Sequence, residues 1–281
     1  MNFATIDYVI FAGYAALILG IGLWVSRKGE KTSEDYFLAS KSLPWWAIGA
    51  SLIAANISAE QFIGMSGAGF ASGLAIASYE WMAAFTLLIV GKYFLPIFIE
   101  KGLYTIPEFV EKRFSTQLKT ILAIFWIALY VFVNLSSVLY LGSLALETIM
   151  GVPMMYGVVG LGLFAAAYSL YGGLSAVAWT DVVQVVFLVL GGLFTTYLAL
   201  NTLSDGAGMI AGFKQVLEAV PDRFHMILDK TNPEYINLPG IWVLIGGLWV
   251  ANLYYWGFNQ YIIQRTLAAK SLKEAQKGIV L

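Results

Sequence analysis

The chain has 281 residues, of which 59% are hydrophobic and only 12% are charged. Soluble domains average about 45–50% apolar and about 25% charged residues, so a disordered chain is excluded and an ordinary soluble enzyme is disfavoured. The net charge of −1 leaves no basic surplus for binding nucleic acid. Cysteine is absent and His225 is the single histidine, which excludes disulfides, cysteine nucleophiles and His-cluster metal sites. The composition predicts an all-α integral membrane protein that contacts the lipid bilayer and does not bind nucleic acid.

Seven stretches are long and apolar enough to cross a bilayer, which takes about 20 residues. They are predicted at residues 8–25, 45–70, 76–99, 120–149, 154–171, 174–200 and 238–263, and a further helix is expected to begin near Gly278. Residues 201–237 form the predicted extracytoplasmic loop, in which the stretch 208–220 has helical spacing.

The first span is predicted to be a retained anchor with the N-terminus outside. A signal peptide would carry basic residues before its apolar stretch, whereas here Arg27, Lys28 and Lys31 follow it. With this orientation the inner loops and span ends hold 13 basic residues and the outer loops hold 3, which agrees with the positive-inside rule. We therefore expect a multi-pass protein of the cell membrane.

The second span, WWAIGASLIAANISAEQFIGMSGAGF, combines small residues with the polar side chains Asn56, Ser58, Glu60 and Gln61. A charge near the membrane centre costs between about 2.5 and 17 kcal/mol, depending on the method, so such residues face a cavity or a partner. The small neighbours allow close helix approach and an unwound turn, whose freed carbonyls suit a hard cation such as Na⁺. The alternative is a continuous helix with a polar patch between helices.

Acidic residues mark the third and sixth spans. Glu80 lies near the outer end of the third span, between Tyr79 and Trp81. A carboxylate beside aromatic rings suits a polyhydroxylated ligand, although the aromatic residues alone are equally typical of the membrane interface. Asp181, in YGGLSAVAWTDVVQ, is either a carboxylate paired with a nearby lysine or a station for a cation that leaves to the cytoplasm.

The seventh span, PGIWVLIGGLWVANLYYWGFNQYIIQR, has Asn252 at its middle and Tyr255 and Trp256 in the aromatic run that follows. An aromatic run is more often packing than a ligand site, but the neighbouring amides favour binding. Two spans with polar, Gly-rich interruptions, five spans apart, match an inverted-repeat transporter, in which substrate and ion bind where the broken helices meet.

These segments resemble the sodium/solute symporter family. YSLYGGLSAVAWTDVVQ is similar to its most diagnostic motif, and SLIAANISAEQFIGMSG, SYEW, YTIPEFVEKRF and NLYYWGFNQYIIQRTLAAKS are similar to the sodium/glucose cotransporter branch, above all to bacterial sodium/galactose symporters. The resemblance covers essentially the whole chain. It implies the LeuT-type inverted-repeat fold, an extra N-terminal helix followed by the first five-helix repeat and the first helix of the second, in the bacterial inner membrane.

The resemblance also implies site residues and sodium as the coupling ion. The family's sugar ligands fall on Gln61, Glu80 and Asn252. Its inner gate falls on Tyr255, whose hydroxyl is expected to reach Asn56, with Trp256 beside it. The outer lid falls on Met65 and Tyr79. The sodium-coordinating carbonyls fall on Ala54 and Ile57, and the sodium exit acid falls on Asp181.

Two departures from the family's pattern stand out. Ala83 occupies the place of a serine that contacts the sugar, which removes a hydrogen bond worth about 0.5–1.5 kcal/mol. The family's second repeat continues beyond the position of Leu281, so this polypeptide is expected not to transport unaided.

The function expected from the resemblance is symport of Na⁺ with galactose or glucose by alternating access. One alternative is sodium symport of another small solute, such as proline, pantothenate, a carboxylate or sialic acid, and another is a truncated fragment that does not transport. Glu80 facing the site favours a neutral, hydroxylated solute over an anion. A membrane enzyme would need a nucleophile–base pair or metal ligands in the spans, which offer neither His nor Cys. A receptor or a channel-like module is a third alternative.

Overall fold

The computed structural model describes residues 4–27 and 32–281, and Lys28 and Lys31 of the predicted inner basic cluster lie outside those ranges. Regular structure in the described chain is helical, apart from an isolated parallel β-bridge between Leu43 and Ala269. A helix satisfies its backbone N–H and C=O groups within one segment, as lipid requires. The all-helical prediction is confirmed.

The described ranges contain α-helices joined by shorter π and 3₁₀ segments. The α-helices are α1 (Thr5–Ser26), α2 (Ser33–Leu38), α3 (Trp45–Asn56), α4 (Ser66–Ser72), α5 (Ser78–Ile89), α6 (Leu95–Glu100), α7 (Ile106–Arg113), α8 (Thr116–Leu129), α9 (Ser136–Met150), α10 (Met154–Leu203), α11 (Met209–Ala219), α12 (Ile241–Ile245), α13 (Gly247–Leu253), α14 (Gln260–Leu267) and α15 (Leu272–Val280). The π-helical segments are Glu60–Met65, Val90–Phe94, Tyr130–Leu135 and Tyr254–Phe258. The 3₁₀ helices are Ala39–Lys41, Gly73–Ala77, Pro221–Phe224 and Pro233–Ile236.

Several helical runs are long and apolar enough to cross a membrane. A bent pair, Pro233–Ile245 and Gly247–Phe258, turns by 71° at its break and adds a further candidate. In the described part of the chain the continuous runs are Thr5–Ser26, Glu60–Glu100, Thr116–Met150 and Met154–Leu203. Met154–Leu203 holds two predicted spans, and Glu60–Glu100 holds the third span and the end of the second. The seven-span count remains a prediction.

Helix α10 illustrates how one helical run accommodates two predicted spans. Its 50 residues would measure about 75 Å if straight, more than twice the hydrocarbon thickness of about 30 Å. The backbone changes direction at Gly173, where φ is 57° and ψ is −154°. A Cβ atom at Gly173 would lie 2.4 Å from the Tyr36 carbonyl oxygen, so the kink and the close approach both require glycine. The predicted spans 154–171 and 174–200 lie on either side of it.

The predicted extracytoplasmic loop packs on the turn between the second and third predicted spans. That turn bends at Gly73, where φ is 68° and an added Cβ would lie 2.2 Å from the Arg223 carbonyl oxygen. Leu228 and Leu238, from the loop and its end, form a buried cluster with Ala75 on the turn. Besides α11, the loop carries two of the 3₁₀ helices. Loop and helical turn therefore form one packed unit.

The largest buried core lies where α2, α3, α6, α14 and α15 meet. Leu38, Ile48, Leu95, Ile263 and Ala275 are fully buried there, one from each helix. This core includes α3 and α14, which flank the breaks in the second and seventh predicted spans. Packing in the core therefore fixes the backbone around the candidate site.

Helices on the outside of this core present apolar side chains to their surroundings. Large exposed examples are Trp24 on α1, Ile121 on α8, Phe132 in the π segment and Leu163 on α10. Exposed apolar surface on this scale is typical of a lipid-facing protein. The multi-pass membrane prediction agrees with it.

Helix α15 begins at Leu272 rather than near Gly278. The Ser271 side chain caps it by accepting a hydrogen bond from the Glu274 N–H at 3.3 Å. Glu274 in turn accepts a hydrogen bond from the Trp45 N–H at 2.8 Å, at the start of α3. The charged residues of this helix lower its hydropathy, so apolar patterning in the sequence does not predict its start.

Candidate solute and sodium site

The predicted unwound turn is present in the second span. Helix α3 ends at Asn56, and Ile57 has extended backbone angles, φ −88° and ψ 105°. In a continuous helix the Ser58 N–H would donate to the Ala54 carbonyl. Here it donates to Gln61 Oε1 at 2.8 Å. The alternative of a continuous helix in this span is wrong.

The backbone N–H of Gln61 is also redirected at this turn. The Gln61 N–H, which would reach the Ile57 carbonyl in a helix, donates to the Ser58 carbonyl at 3.1 Å. The Ser58 hydroxyl donates to Gln61 Oε1 at 3.0 Å and holds the turn closed on itself. The helical donors of the Ala54 and Ile57 carbonyls are thus used elsewhere, and both oxygens are left to bind another group. Carbonyls freed in this way are the ligands that Na⁺ takes in broken transporter helices.

A cavity of about 710 Å³ opens beside this turn. Its volume is within the range of small-molecule sites, and its lining is mostly apolar with a few polar groups, as such sites usually are. The predicted site residues that line it are Asn56, Ile57, Gln61, Met65, Glu80 and Trp256. Six of the predicted positions, from three different segments, therefore surround one space.

Glu80 links the third span to the interrupted second span. Asn56 Nδ2 donates a hydrogen bond to Glu80 Oε2 at 3.4 Å. The Glu80 side chain is exposed to the cavity, where its oxygens can accept hydrogen bonds. Ala83, one turn further along α5, also lines the cavity, and its methyl group offers no hydrogen bond there.

The residues predicted to form the outer lid line a second, smaller cavity of about 280 Å³. Tyr79 and Met65 line it together with Gln61 and Glu60. Glu60 was singled out in the sequence as one of the mid-span polar residues without a role, and its Oε1 accepts a hydrogen bond from the Ser137 hydroxyl at 2.5 Å. Gln61 and Met65 line both cavities, so the two spaces are neighbours.

Asn252 and Tyr255 lie behind the cavity wall rather than on it. Asn252 is buried, and its Nδ2 donates to the Leu248 carbonyl of its own helix at 3.1 Å. The Tyr255 ring packs edge-on against Trp256, with 5.1 Å between ring centroids. No hydrogen bond joins Tyr255 to Asn56: Asn56 donates to Glu80, and the Tyr255 phenol interacts with that of Tyr261.

Asp181 forms a buried ion pair with Arg265 rather than with a lysine. Arg265 Nη2 lies 3.5 Å from Asp181 Oδ2, and both side chains are 9% exposed. Ser51 bridges them: its hydroxyl donates to Asp181 Oδ2 at 2.5 Å and accepts from Arg265 Nε at 2.8 Å. Arg265 Nη1 also donates to the Tyr261 carbonyl. Ser51, Tyr261 and Arg265 are not among the predicted site residues. The Tyr–Arg spacing of one helical turn in NQYIIQR is the sequence signal for Tyr261 and Arg265.

A family model described as the sodium:solute symporter family matches residues 36–281 of this chain. The chain belongs to this family. The resemblance inferred from the motifs is confirmed, and so is the LeuT-type fold.

Named relatives of this symporter chain include transporters from bacteria and mammals. It is 73% identical over 278 residues to a sodium/glucose cotransporter of Vibrio parahaemolyticus, an alignment that covers 98% of this chain and 51% of the relative. It is 36% identical over 290 residues to sodium/glucose cotransporter 4 of Mus musculus, covering 99% of this chain and 42% of the relative. The chain therefore spans about half the length of these curated relatives.

A solved structure is also similar to this symporter chain. It is a substrate-bound, outward-open Na⁺-coupled sialic acid symporter, with a TM-score of 0.83 and 26% sequence identity. The match covers 99% of this chain and 56% of that one. The family and these relatives are transporters, and sodium is the coupling ion that their names give.

The two broken helices of this symporter chain have their parts in opposite order. In the first, α3 is followed by the break and then by the π segment Glu60–Met65. In the second, the π segment Tyr254–Phe258 comes first, the break lies at Asn259 (φ −75°, ψ 115°), and α14 follows. An extended residue beside a π segment therefore interrupts both helices, and discontinuous helices of this kind form the binding sites of many transporters.

Proposed function

We propose that this chain supplies the sodium turn and much of the solute site of a symporter that couples Na⁺ entry to the uptake of a neutral hexose, galactose or glucose. The observation that carries the proposal is the interrupted second span, which frees the Ala54 and Ile57 carbonyls beside a cavity that contains Glu80. An ion site and a solute site that share one turn are the structural requirement for coupled binding. Alternating access of the cavity to the two sides then completes the cycle.

The chemistry of the cavity favours a neutral, hydroxylated solute. Its polar lining groups are the Glu80 carboxylate and the amides of Asn56 and Gln61, and the residues that line it, all in the described chain, include no Lys or Arg. An anionic solute would meet Glu80 without a cation to balance it. Trp256 also lines the cavity and offers an aromatic ring for a pyranose to pack against. The names of the sodium/glucose relatives support the same class of solute.

Sodium supplies the driving force in this proposal. One Na⁺ moving through about 100 mV releases about 2.3 kcal/mol, and a roughly tenfold Na⁺ gradient adds about 1.4 kcal/mol. Together they sustain a sugar gradient of roughly several hundredfold. The protein's work is to prevent either ligand from crossing alone.

The remaining predicted residues take roles around this site. Tyr255 is the inner gate, behind Trp256, and Met65 and Tyr79 form the outer lid around the smaller cavity. Asn252 lies on α13, which packs against the helix of Glu80. It is proposed as a solute ligand that becomes accessible when its bond to the Leu248 carbonyl is exchanged for one to the solute.

Asp181 is proposed to serve sodium exit on the cytoplasmic side, where its pairing with Arg265 keeps the acid neutralised between transport cycles. The orientation in this proposal has the N-terminus outside and the protein in the bacterial inner membrane.

The test is uptake by the full-length protein in proteoliposomes. Radiolabelled galactose, glucose, proline and sialic acid are compared in Na⁺ and in K⁺ buffers. Na⁺-dependent uptake of a hexose is expected, and Glu80→Ala is expected to abolish it. Glu147→Ala removes an exposed carboxylate outside the cavity and serves as the matched control. Uptake of sialic acid or proline but not hexose would reassign the solute, and uptake that ignores Na⁺ would refute symport.

A further inference from the structure

A single side-chain contact joins the second broken helix to the turn that exposes the sodium carbonyls. Tyr261 lies in the first turn of α14, directly after the break at Asn259. Its hydroxyl donates a hydrogen bond to the Ala55 carbonyl. Ala55 lies in the last turn of α3, between the predicted sodium ligands Ala54 and Ile57. The position of this one hydroxyl therefore bears on the orientation of the neighbouring peptide groups.

The rest of Tyr261 is held firmly in place. Its N–H donates to Asn259 Oδ1 at 3.2 Å, and the same oxygen accepts from the Tyr130 hydroxyl at 2.7 Å. The Arg265 guanidinium lies 5.2 Å from the centre of the Tyr261 ring and donates to the Tyr261 carbonyl. Because both backbone and ring are fixed, the phenol cannot move without moving α14.

Tyr261 is also connected to the cavity wall. The Tyr255 phenol and the Tyr261 hydroxyl interact with each other. Tyr255 packs against Trp256 with 5.1 Å between ring centroids, and Trp256 lines the 710 Å³ cavity. A path of direct contacts thus runs from the cavity through Trp256, Tyr255 and Tyr261 to the Ala55 carbonyl.

We propose that Tyr261 is a positioning residue that transmits solute occupancy of the cavity to the sodium turn, residues 54–57. A solute that packs against Trp256 restrains Tyr255, and Tyr255 restrains the Tyr261 hydroxyl that holds the Ala55 peptide. The flanking Ala54 and Ile57 carbonyls are then fixed for Na⁺ before it binds. This inference rests on the proposed function, since it assumes that Na⁺ binds at those carbonyls.

Coupling of this kind is reciprocal. If the solute raises the affinity for Na⁺ by some factor, Na⁺ raises the affinity for the solute by the same factor. Both effects depend on the Tyr261 hydroxyl. Its removal is therefore expected to weaken the effect of solute on Na⁺ affinity and the effect of Na⁺ on solute affinity by the same factor, and to leave the cavity itself intact.

The test uses Tyr261→Phe in the full-length protein in proteoliposomes, with galactose uptake as the assay. This variant keeps the ring over Arg265 and loses only the hydroxyl. We expect the Na⁺ half-saturation concentration at saturating galactose to rise by about 2- to 10-fold, the effect of one lost hydrogen bond. The galactose half-saturation at saturating Na⁺ is expected to rise by the same factor, while galactose affinity measured without Na⁺ stays within about twofold of the parent. Tyr254→Phe is the matched control. Tyr254 lies in the same π segment as Tyr255, but its ring stacks on Trp126 of α8, with 5.2 Å between ring centroids, and it lies outside the proposed path.

A double-variant cycle separates the path from a general loosening of the protein. Tyr255→Phe with Tyr261→Phe is expected to shift the Na⁺ half-saturation no further than Tyr261→Phe alone, because the two hydroxyls act in series. Tyr255→Phe alone is expected to remove the effect of galactose on Na⁺ affinity even if Tyr261→Phe folds poorly. Additive shifts refute the series arrangement.

The outcomes also separate this inference from the function on which it rests. If the parent shows no Na⁺-dependent sugar uptake, both proposals fail. If the parent transports and Tyr261→Phe keeps the parent's Na⁺ half-saturation, the positioning role is refuted while the proposed function stands.

Discussion

Removing the positive charge of Arg265 is expected to destabilise the protein strongly. Arg265 and Asp181 lie 3.5 Å apart, and each side chain is 9% exposed. Arg265→Gln leaves the Asp181 carboxylate buried with Ser51 as its remaining hydrogen-bond donor. Breaking a buried pair from one side costs about 3–5 kcal/mol. For a domain of comparable size, 1 kcal/mol moves the unfolding midpoint by about 2–4 °C, so the expected decrease is roughly 6–20 °C.

The assay is thermal unfolding of the purified protein in detergent, followed by tryptophan fluorescence. Lys41→Gln removes one charge from the exposed Lys41–Glu34 pair, whose atoms lie 2.9 Å apart, and is expected to cost at most about 1 kcal/mol. Asp181→Asn combined with Arg265→Gln removes both buried charges and is expected to recover most of the lost stability. If the double variant is as unstable as the sum of the two single variants, uncompensated charge is not the cause and the reasoning fails.

Three further predictions concern the cavity, Asn252 and the Glu108–Lys112 pair of α7. Ala83→Ser returns a hydroxyl to the cavity wall and is expected to lower the galactose half-saturation by about 2- to 10-fold; an unchanged value would place the sugar elsewhere. Asn252→Ala is expected to raise the sugar half-saturation and spare that of Na⁺, whereas lost thermal stability with normal affinity would assign the amide to its Leu248 contact alone. Burial raises the pKa of Glu108, but its hydrogen bonds, including that from Lys112, and the charge of Lys112 outweigh this effect and lower the pKa. Stability from Glu108 is therefore present above the ordinary glutamate pKa of about 4.3 and is lost as pH falls through the lower folded value. At pH 7, Glu108→Gln is expected to cost about 0.5–1 kcal/mol, and unfolding midpoints of the two proteins measured against pH should converge below pH of about 4.

The break in the second span was predictable because its signals are local. Small residues and four polar side chains between Asn56 and Gln61 are incompatible with a plain lipid-facing helix. The hydrogen bonds that close the turn join Ser58 and Gln61, which are only three residues apart. The convergence of Glu80 and Gln61 on one cavity was predictable only through the family resemblance, since no spacing rule relates residues on separate spans.

The buried polar network was not predictable in the same way. Ser51, Asp181 and Arg265 come from three separate helices, and their approach depends on how those helices pack. In the sequence, Arg265 looks like the other basic residues near the inner span ends. A position near a span end does not indicate whether the side chain is buried. The contact of Tyr261 with Ala55 is hidden for the same reason: it bridges 206 positions in the chain.

Gln61 has a further consequence for how a sugar hydroxyl can be recognised. An amide oxygen has two lone pairs, and those of Gln61 already accept from the Ser58 N–H and hydroxyl. Toward a sugar, Gln61 can therefore act only as a donor through Nε2, while the Glu80 carboxylate acts as an acceptor. A sugar hydroxyl that faces Gln61 accepts a hydrogen bond, and one that faces Glu80 donates a hydrogen bond. Fluorine accepts weakly and cannot donate, so a single fluorine-for-hydroxyl replacement is tolerated on the Gln61 side and rejected on the Glu80 side, which makes fluorosugars a map of the ligand's orientation.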